Sequence, residues 1–112
     1  MTRYFLAFLL LTVSSHSVAG AGFDGLRITL LGTGSPLATS EGYGPSSLVE
    51  ASDEALLFDC GRGTAQRLEQ TGISLRDLTA VFFTSLDSEH TIGCPEVWRA
   101  RRQAGEAEPL VV

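Results

Sequence analysis

Thr79-Ala80-Val81-Phe82-Phe83-Thr84-Ser85-Leu86-Asp87-Ser88-Glu89-His90-Thr91-Ile92-Gly93-Cys94-Pro95-Glu96-Val97-Trp98 is the stretch on which the fold turns. It opens as an apolar β-type run, Ala80 to Phe83, and closes as a helix. Pro95 suits the first turn of that helix, where its missing N–H would be unpaired anyway. Between strand and helix lies a polar loop with Ser85, Asp87, Glu89 and His90. A loop at the end of a buried strand is held by the scaffold and reached by solvent, which favours chemistry there. Carboxylates and an imidazole on one short loop are the groups that bind metals and move protons. The same residues also serve as an ordinary solvated turn.

Working back from this stretch, the pattern is that of a sheet with helical connections. Leu26-Arg27-Ile28-Thr29-Leu30-Leu31 alternates apolar and polar, then becomes fully apolar, as a strand entering a core does. Gly32-Thr33-Gly34-Ser35-Pro36 ends it, and Leu37 to Pro45 reads as loop. Ser47 to Ala51 and Ala55 to Phe58 read as a hairpin turning at Ser52-Asp53-Glu54, without the Asn-Gly or Asp-Gly that marks a tight two-residue turn. Gly63 or Thr64 can open a helix running to about Thr71, with Ala65 and Leu68 facing inward and Gly72 as the stop. Ser74 caps a short turn, Leu75 to Leu78. The apolar run Ala80 to Phe83 has no polar face, which places it centrally in the sheet.

Downstream, the helix from Pro95 continues through Arg102, and Gly105 and Pro109 close it. Trp98 is expected in the core. Arg99, Arg101 and Arg102 form a small basic patch that the helix C-terminal dipole accounts for. Pro109-Leu110-Val111-Val112 reads as the start of a fifth strand, so the chain is expected to be the front part of a longer domain, with an apolar strand edge left open.

Length and composition bound the rest. The chain has 112 residues, enough for one domain. Its net charge is −5, and all eight basic residues are Arg. An acidic chain gains no long-range attraction to nucleic acid, so nucleic acid is not the expected partner. Arg3, an apolar run from Tyr4 to Val13 and small residues up to Gly22 make the three parts of a secretory signal peptide, with cleavage after Ala19 or Ala21. A membrane anchor needs about 20 apolar residues, more than the run supplies. Residues 1–21 are therefore expected to be a leader, the mature chain periplasmic or secreted, and no later segment to span a membrane. Export admits a disulfide between Cys60 and Cys94, with two buried free thiols as the favoured reading. Gly32-Thr33-Gly34 lacks the Lys and the following helix of a phosphate-binding loop.

The order of motifs resembles a known family. Leu31-Gly32-Thr33-Gly34-Ser35-Pro36 is followed by Ser46-Ser47-Leu48-Val49-Glu50, then by Leu57-Phe58-Asp59-Cys60-Gly61-Arg62-Gly63-Thr64, Val81-Phe82-Phe83-Thr84 and His90-Thr91-Ile92-Gly93. Together they resemble the N-terminal half of a metallo-β-lactamase-fold hydrolase, in the branch of ribonuclease Z and arylsulfatase-like phosphodiesterases. The resemblance implies an α/β fold, half of an αββα sandwich, over residues 24–112. It implies hydrolysis of a small-molecule ester or a phosphodiester, zinc as cofactor, and a homodimer as a common assembly. The family's metal loop reads Thr-His-x-His-x-Asp-His. Here Thr84 and His90 match, while Ser85 and Asp87 stand at the two leading His positions and Glu89 at the Asp position. A neutral hydroxyl is a poor zinc ligand. What remains is an oxygen-rich set, Asp87, Glu89 and His90, suited to manganese, magnesium or calcium as much as to zinc. Glu89 is the candidate catalytic residue. In the family, the acid equivalent to Asp59 lies beneath the metal loop and orders it; a turn or helix-capping acid is the favoured reading of Asp59 itself. The chain is expected to be inactive alone, or else a non-catalytic remnant that binds a metal or a protein partner.

Overall fold

The computed structural model describes residues 23–34, 42–105 and 109–112. The leader expected at residues 1–21 lies outside them.

Four strands form one sheet in the order β1-β2-β3-β4: β1 Phe23–Gly32, β2 Ser46–Ser52, β3 Glu54–Phe58 and β4 Leu78–Phe82. The first three are antiparallel neighbours. The hairpin between β2 and β3 is as expected, and Ser52 absorbs its tight turn with φ of 51°. β4 runs parallel to β3. A parallel neighbour needs a crossover, and helix α1, Thr64–Thr71, with a 3-10 turn at Leu75–Asp77, provides it. Gly63 enters α1 at φ 81° and Gly72 leaves it at φ 78°. The Ser74 hydroxyl accepts from the Arg76 amide and caps the 3-10 turn.

Past β4 the chain departs from the sequence reading in one place. The loop expected from Ser85 to His90 contains a single helical turn, α2, Ser88–Thr91, which starts from extended Asp87. Helix α3, Cys94–Gln103, follows, with Pro95 in its first turn. Among the described residues, no helix is long and apolar enough to cross a membrane.

The register places Thr29, Leu48, Leu57 and Val81 in one row across the sheet. Leu48, Leu57 and Val81 are buried there with Leu31 and Leu78, under Leu68 of α1 and Val97 of α3. Among the described residues, helices cover this face alone, one helical layer on one sheet. The opposite face carries the row Leu30, Ser47, Phe58 and Phe82, with Phe58 stacked on Phe82 at 5.2 Å.

Two expectations are corrected here. The apolar alternation of β1 was expected to enter the core, yet Leu26, Ile28 and Leu30 are 64%, 61% and 61% exposed. They point away from the helices, and Arg27 and Thr29 take the helix side. β4 is the last of the named strands, and its outer edge pairs again with the chain where Val111 forms a parallel bridge to Ala80, so it has neighbours on both sides. Trp98 was expected in the core but is half exposed, with the Arg102 guanidinium 5.3 Å from its ring, because the inward face of α3 is set by Val97 and Arg101. Arg101 is thus buried and leaves the expected basic patch to Arg99 and Arg102.

Four backbone segments meet with no room for side chains. A Cβ on Gly32 would fall 2.1 Å from the Gly44 carbonyl oxygen, one on Gly44 would fall 2.8 Å from the Gly61 Cα, and one on Gly93 would fall 2.1 Å from the Gly61 carbonyl oxygen. The end of β1, the approach to β2, the β3–α1 loop and the start of α3 are therefore stacked backbone on backbone. Hydrogen bonds from Gly44 to Arg62, from Gly61 to Pro45 and from Gly93 to Cys60 close the stack at 2.8, 3.0 and 2.8 Å. Gly93 has ordinary helical φ of −83°, so only contact forbids a side chain there. Gly93→Ala should cost about 2 kcal/mol or more through overpacking, read as a lower urea midpoint at unchanged m-value. Exposed Gln103→Ala should leave the midpoint in place.

Candidate functional site

The site is assembled at the C-terminal ends of the two parallel strands. β3 ends at Phe58, and Asp59 follows in the left-handed region at φ 61°. Asp is one of the few side chains that enter this region at modest cost. The Asp59 amide donates to the Phe82 carbonyl at 2.8 Å, which extends the ladder one step beyond β3. Its side chain reaches across to the chain leaving β4. The Thr84 amide donates to Oδ1 at 2.7 Å, and the Thr84 hydroxyl donates to Oδ2 at 2.6 Å. His90 Nδ1 lies 2.9 Å from the same Oδ2.

Asp59 therefore orders the loop. The favoured sequence reading, a turn or helix-capping acid, is corrected: α1 is entered at Gly63 without a side-chain cap, and both carboxylate oxygens are committed to Thr84 and His90. The carboxylate is buried, and buried anions persist where they are paired and hydrogen-bonded.

The electrostatics follow. Burial opposes ionisation of Asp59, but the Thr84 hydroxyl, the Thr84 amide and His90 outweigh it and hold the carboxyl below its ordinary 3.8. His90 is held above its ordinary 6.5, first by the hydrogen bond to Asp59, against a desolvation cost, and further by the charges of Asp59, Glu89 and Asp87. The Nδ1 contact to Asp59 leaves Nε2 as the free edge of the ring, and that edge faces Glu89 Oε1 at 3.6 Å.

The candidate ligands fall into two groups. Glu89 and His90 lie in the short α2 turn and bring an oxygen and a nitrogen toward one point. Asp87 precedes them in extended conformation and is exposed; its amide is bonded to the Ser85 hydroxyl at 3.1 Å and its carbonyl accepts from His90 N at 3.0 Å. Among the described residues, no three His, Cys, Asp or Glu side chains are grouped to hold a metal ion. The donor set present does not make up the family's two-metal centre. Thr84 was named in the sequence reading only as a match to the family's loop; its role as a support of Asp59 was signalled by its place directly after the apolar strand, where a hydroxyl and an amide can reach one carboxylate.

The node has a pH signature. Stability from the raised His90 is complete below 6.5 and is lost as pH rises through its folded value. Stability from the lowered Asp59 is present above 3.8 and is lost as pH falls through its folded value. The urea midpoint should therefore be highest between these limits and decline toward pH 8.5. His90→Asn should flatten the decline on the alkaline side; an equal decline in the variant would assign it to other groups.

Comparison with known proteins places this geometry. A family profile described as Anti-Pycsar protein Apyc1 matches residues 26–111. Ribonuclease Z of Mycobacterium bovis is 51% identical over 65 residues, covering 58% of this chain and 23% of that one. Ribonuclease Z of Mycobacterium marinum is 48% identical over 65 residues, with the same coverage. The chain thus spans about a quarter of the length of these relatives. Among solved structures, human tRNase Z, short form, superposes with a TM-score of 0.58 at 30% identity, over 62% of this chain and 27% of that one. The metallo-β-lactamase-fold protein YhfI of Bacillus subtilis superposes with a TM-score of 0.66 at 20% identity, over 73% of this chain and 33% of that one. With a profile matched from the first strand to Val111, the chain belongs to the Anti-Pycsar protein Apyc1 family, within the ribonuclease Z-like metallo-β-lactamase-fold superfamily.

Proposed function

We propose that the chain is the N-terminal portion of an exported, metal-dependent hydrolase acting on a small-molecule ester or phosphodiester, and that these 112 residues alone do not catalyse the reaction. Its origin among ribonuclease Z-like hydrolases rests on the relatives above. Export rests on the charge, apolar run and small-residue pattern of residues 1–21. The observation that carries inactivity is the donor set: Ser85 and Asp87 replace two imidazoles, and only Glu89 and His90 face one another.

Hydrolysis of this class needs a metal to lower the pKa of water and to stabilise the oxygens of the displacement. Glu89 and His90 would supply donors to such an ion, with Asp87 the third group close enough to act on His90 electrostatically. The Asp59 contact is the support a metal-binding histidine requires, since a carboxylate on Nδ1 fixes the ring and leaves Nε2 outward. The mixed oxygen–nitrogen set suits manganese as well as zinc. A small-molecule substrate fits the chain's acidity better than nucleic acid does.

Two measurements test this. The purified chain with zinc or manganese should hydrolyse bis-p-nitrophenyl phosphate no faster than the metal alone; turnover above that background would overturn the inactive reading. Calorimetric titration should show weak binding of either metal, abolished by Asp87→Ala and by His90→Ala. Unchanged binding in both variants would remove these residues from the site.

A further inference from the structure

Cys60 and Cys94 are the two cysteines of the chain, and both are free thiols. The fold brings their backbones together, Cys60 from the loop after β3 and Cys94 from the start of α3. The Cys60 amide donates to the His90 carbonyl at 2.7 Å, and the Gly93 amide donates to the Cys60 carbonyl at 2.8 Å. A Cβ on Gly93 would lie 3.0 Å from that same Cys60 oxygen. Cys94 is the next residue along. The Cys60 side chain is fully buried in the core, and Cys94 packs partly buried against the same cluster. The Cys94 thiol is close enough to Cys60 to oppose its ionisation. A disulfide requires the two Cα atoms to be about 4.4–6.8 Å apart with their Cβ atoms facing. With the residue before Cys94 bonded to the Cys60 carbonyl and both side chains in one core cluster, the pair is placed for such a bond.

We propose that Cys60 and Cys94 are a redox pair, closing to an intramolecular disulfide by exchange with a small-molecule disulfide such as oxidised glutathione. Cys94 is the accessible partner and reacts first. Its thiolate attacks one sulfur of the small disulfide and expels one glutathione thiolate. The Cys60 thiolate then attacks the Cys94 sulfur and expels the second. One protein S–S bond forms, one glutathione S–S bond breaks, and the two thiol protons leave on two molecules of reduced glutathione. Burial pushes the Cys60 thiol up to about 12 and raises Cys94 as well, so the exchange runs slowly at neutral pH.

The bond would join the residue after Asp59 to the first residue of α3. It would fix from outside the geometry that the Asp59–His90 contact sets from within. Removing freedom from the unfolded chain across this loop stabilises the fold. The proposal needs neither metal nor turnover and stands apart from the hydrolase reading.

The test uses the reduced full chain, incubated under native conditions at pH 8 with oxidised glutathione, then alkylated and analysed by mass spectrometry. The expected product is lighter by two hydrogens, yields disulfide-linked Cys60 and Cys94 peptides on digestion, and melts about 5 °C or more above the reduced form; dithiothreitol reverses these changes. Cys94→Ser, at the less buried position, should show none of them. An unchanged mass, a stable glutathione adduct on Cys94, or a disulfide that leaves Tm unchanged or lowers it would overturn the proposal.

Discussion

One carboxylate ties the ends of the two parallel strands together. Asp59 accepts from the Thr84 amide, the Thr84 hydroxyl and His90, and its own amide bonds to Phe82. Parallel strands come from distant parts of the chain, so nothing local fixes how they end relative to one another. Here a charge placed between them does so. The left-handed backbone at Asp59 has a cost for any residue with a Cβ. It is offset because that conformation aims the side chain at the neighbouring strand, where charge-assisted bonds of 2.6–2.9 Å await it. The loop after β4 then has little choice of path, since Thr84 and His90 are both held to one group.

The glycine stack does for the backbone what Asp59 does for the side chains. Gly32, Gly44, Gly61 and Gly93 let four segments approach until carbonyls and α-carbons touch. The contact between Gly93 and the Cys60–Gly61 peptide sets where α3 begins. It thereby sets the span available to α2, which carries Glu89 and His90. Position and orientation of the site thus come from two independent constraints, one steric and one electrostatic.

How much of this was legible in the sequence depended on the range of the interaction. Glycine and proline acting on their own neighbours were readable: Gly63 and Gly72 bound α1, and Pro95 opens α3. The strands were readable from their alternation, and their order of motifs from the resemblance. Which side of a strand faces inward was not. Leu26, Ile28 and Leu30 form an apolar row, and the reading that apolar means core failed because α1 and α3 lie on the other face. That outer face, with Phe58 stacked on Phe82, is apolar in the manner of a sheet that packs on a second sheet. Trp98 failed for a related reason: spacing along α3 allowed either Trp98 or Val97 to point inward, and the packing partner decided. Asp59 failed because its partners, Thr84 and His90, are 25 and 31 residues away, and a nearby helix start offered a plausible local role.

The same node explains how the loop is held without a metal. Asp59, Thr84 and His90 engage one another through hydrogen bonds that need no metal. The side chains of Ser85 and Asp87 make no hydrogen bond to Asp59, Thr84 or His90: the Ser85 hydroxyl accepts from the Asp87 amide, and the exposed Asp87 side chain provides no cap for α2. Changes at these two positions therefore leave the supports of the loop in place. Replacing Asp59 would do the opposite. It would leave the remaining donors in the chain but release His90 and Thr84 together, and with them the path between β4 and α3. Ligand positions in this fold can change while the architecture holds, because the residue on which the architecture depends lies beneath the ligands and is bound to the backbone itself.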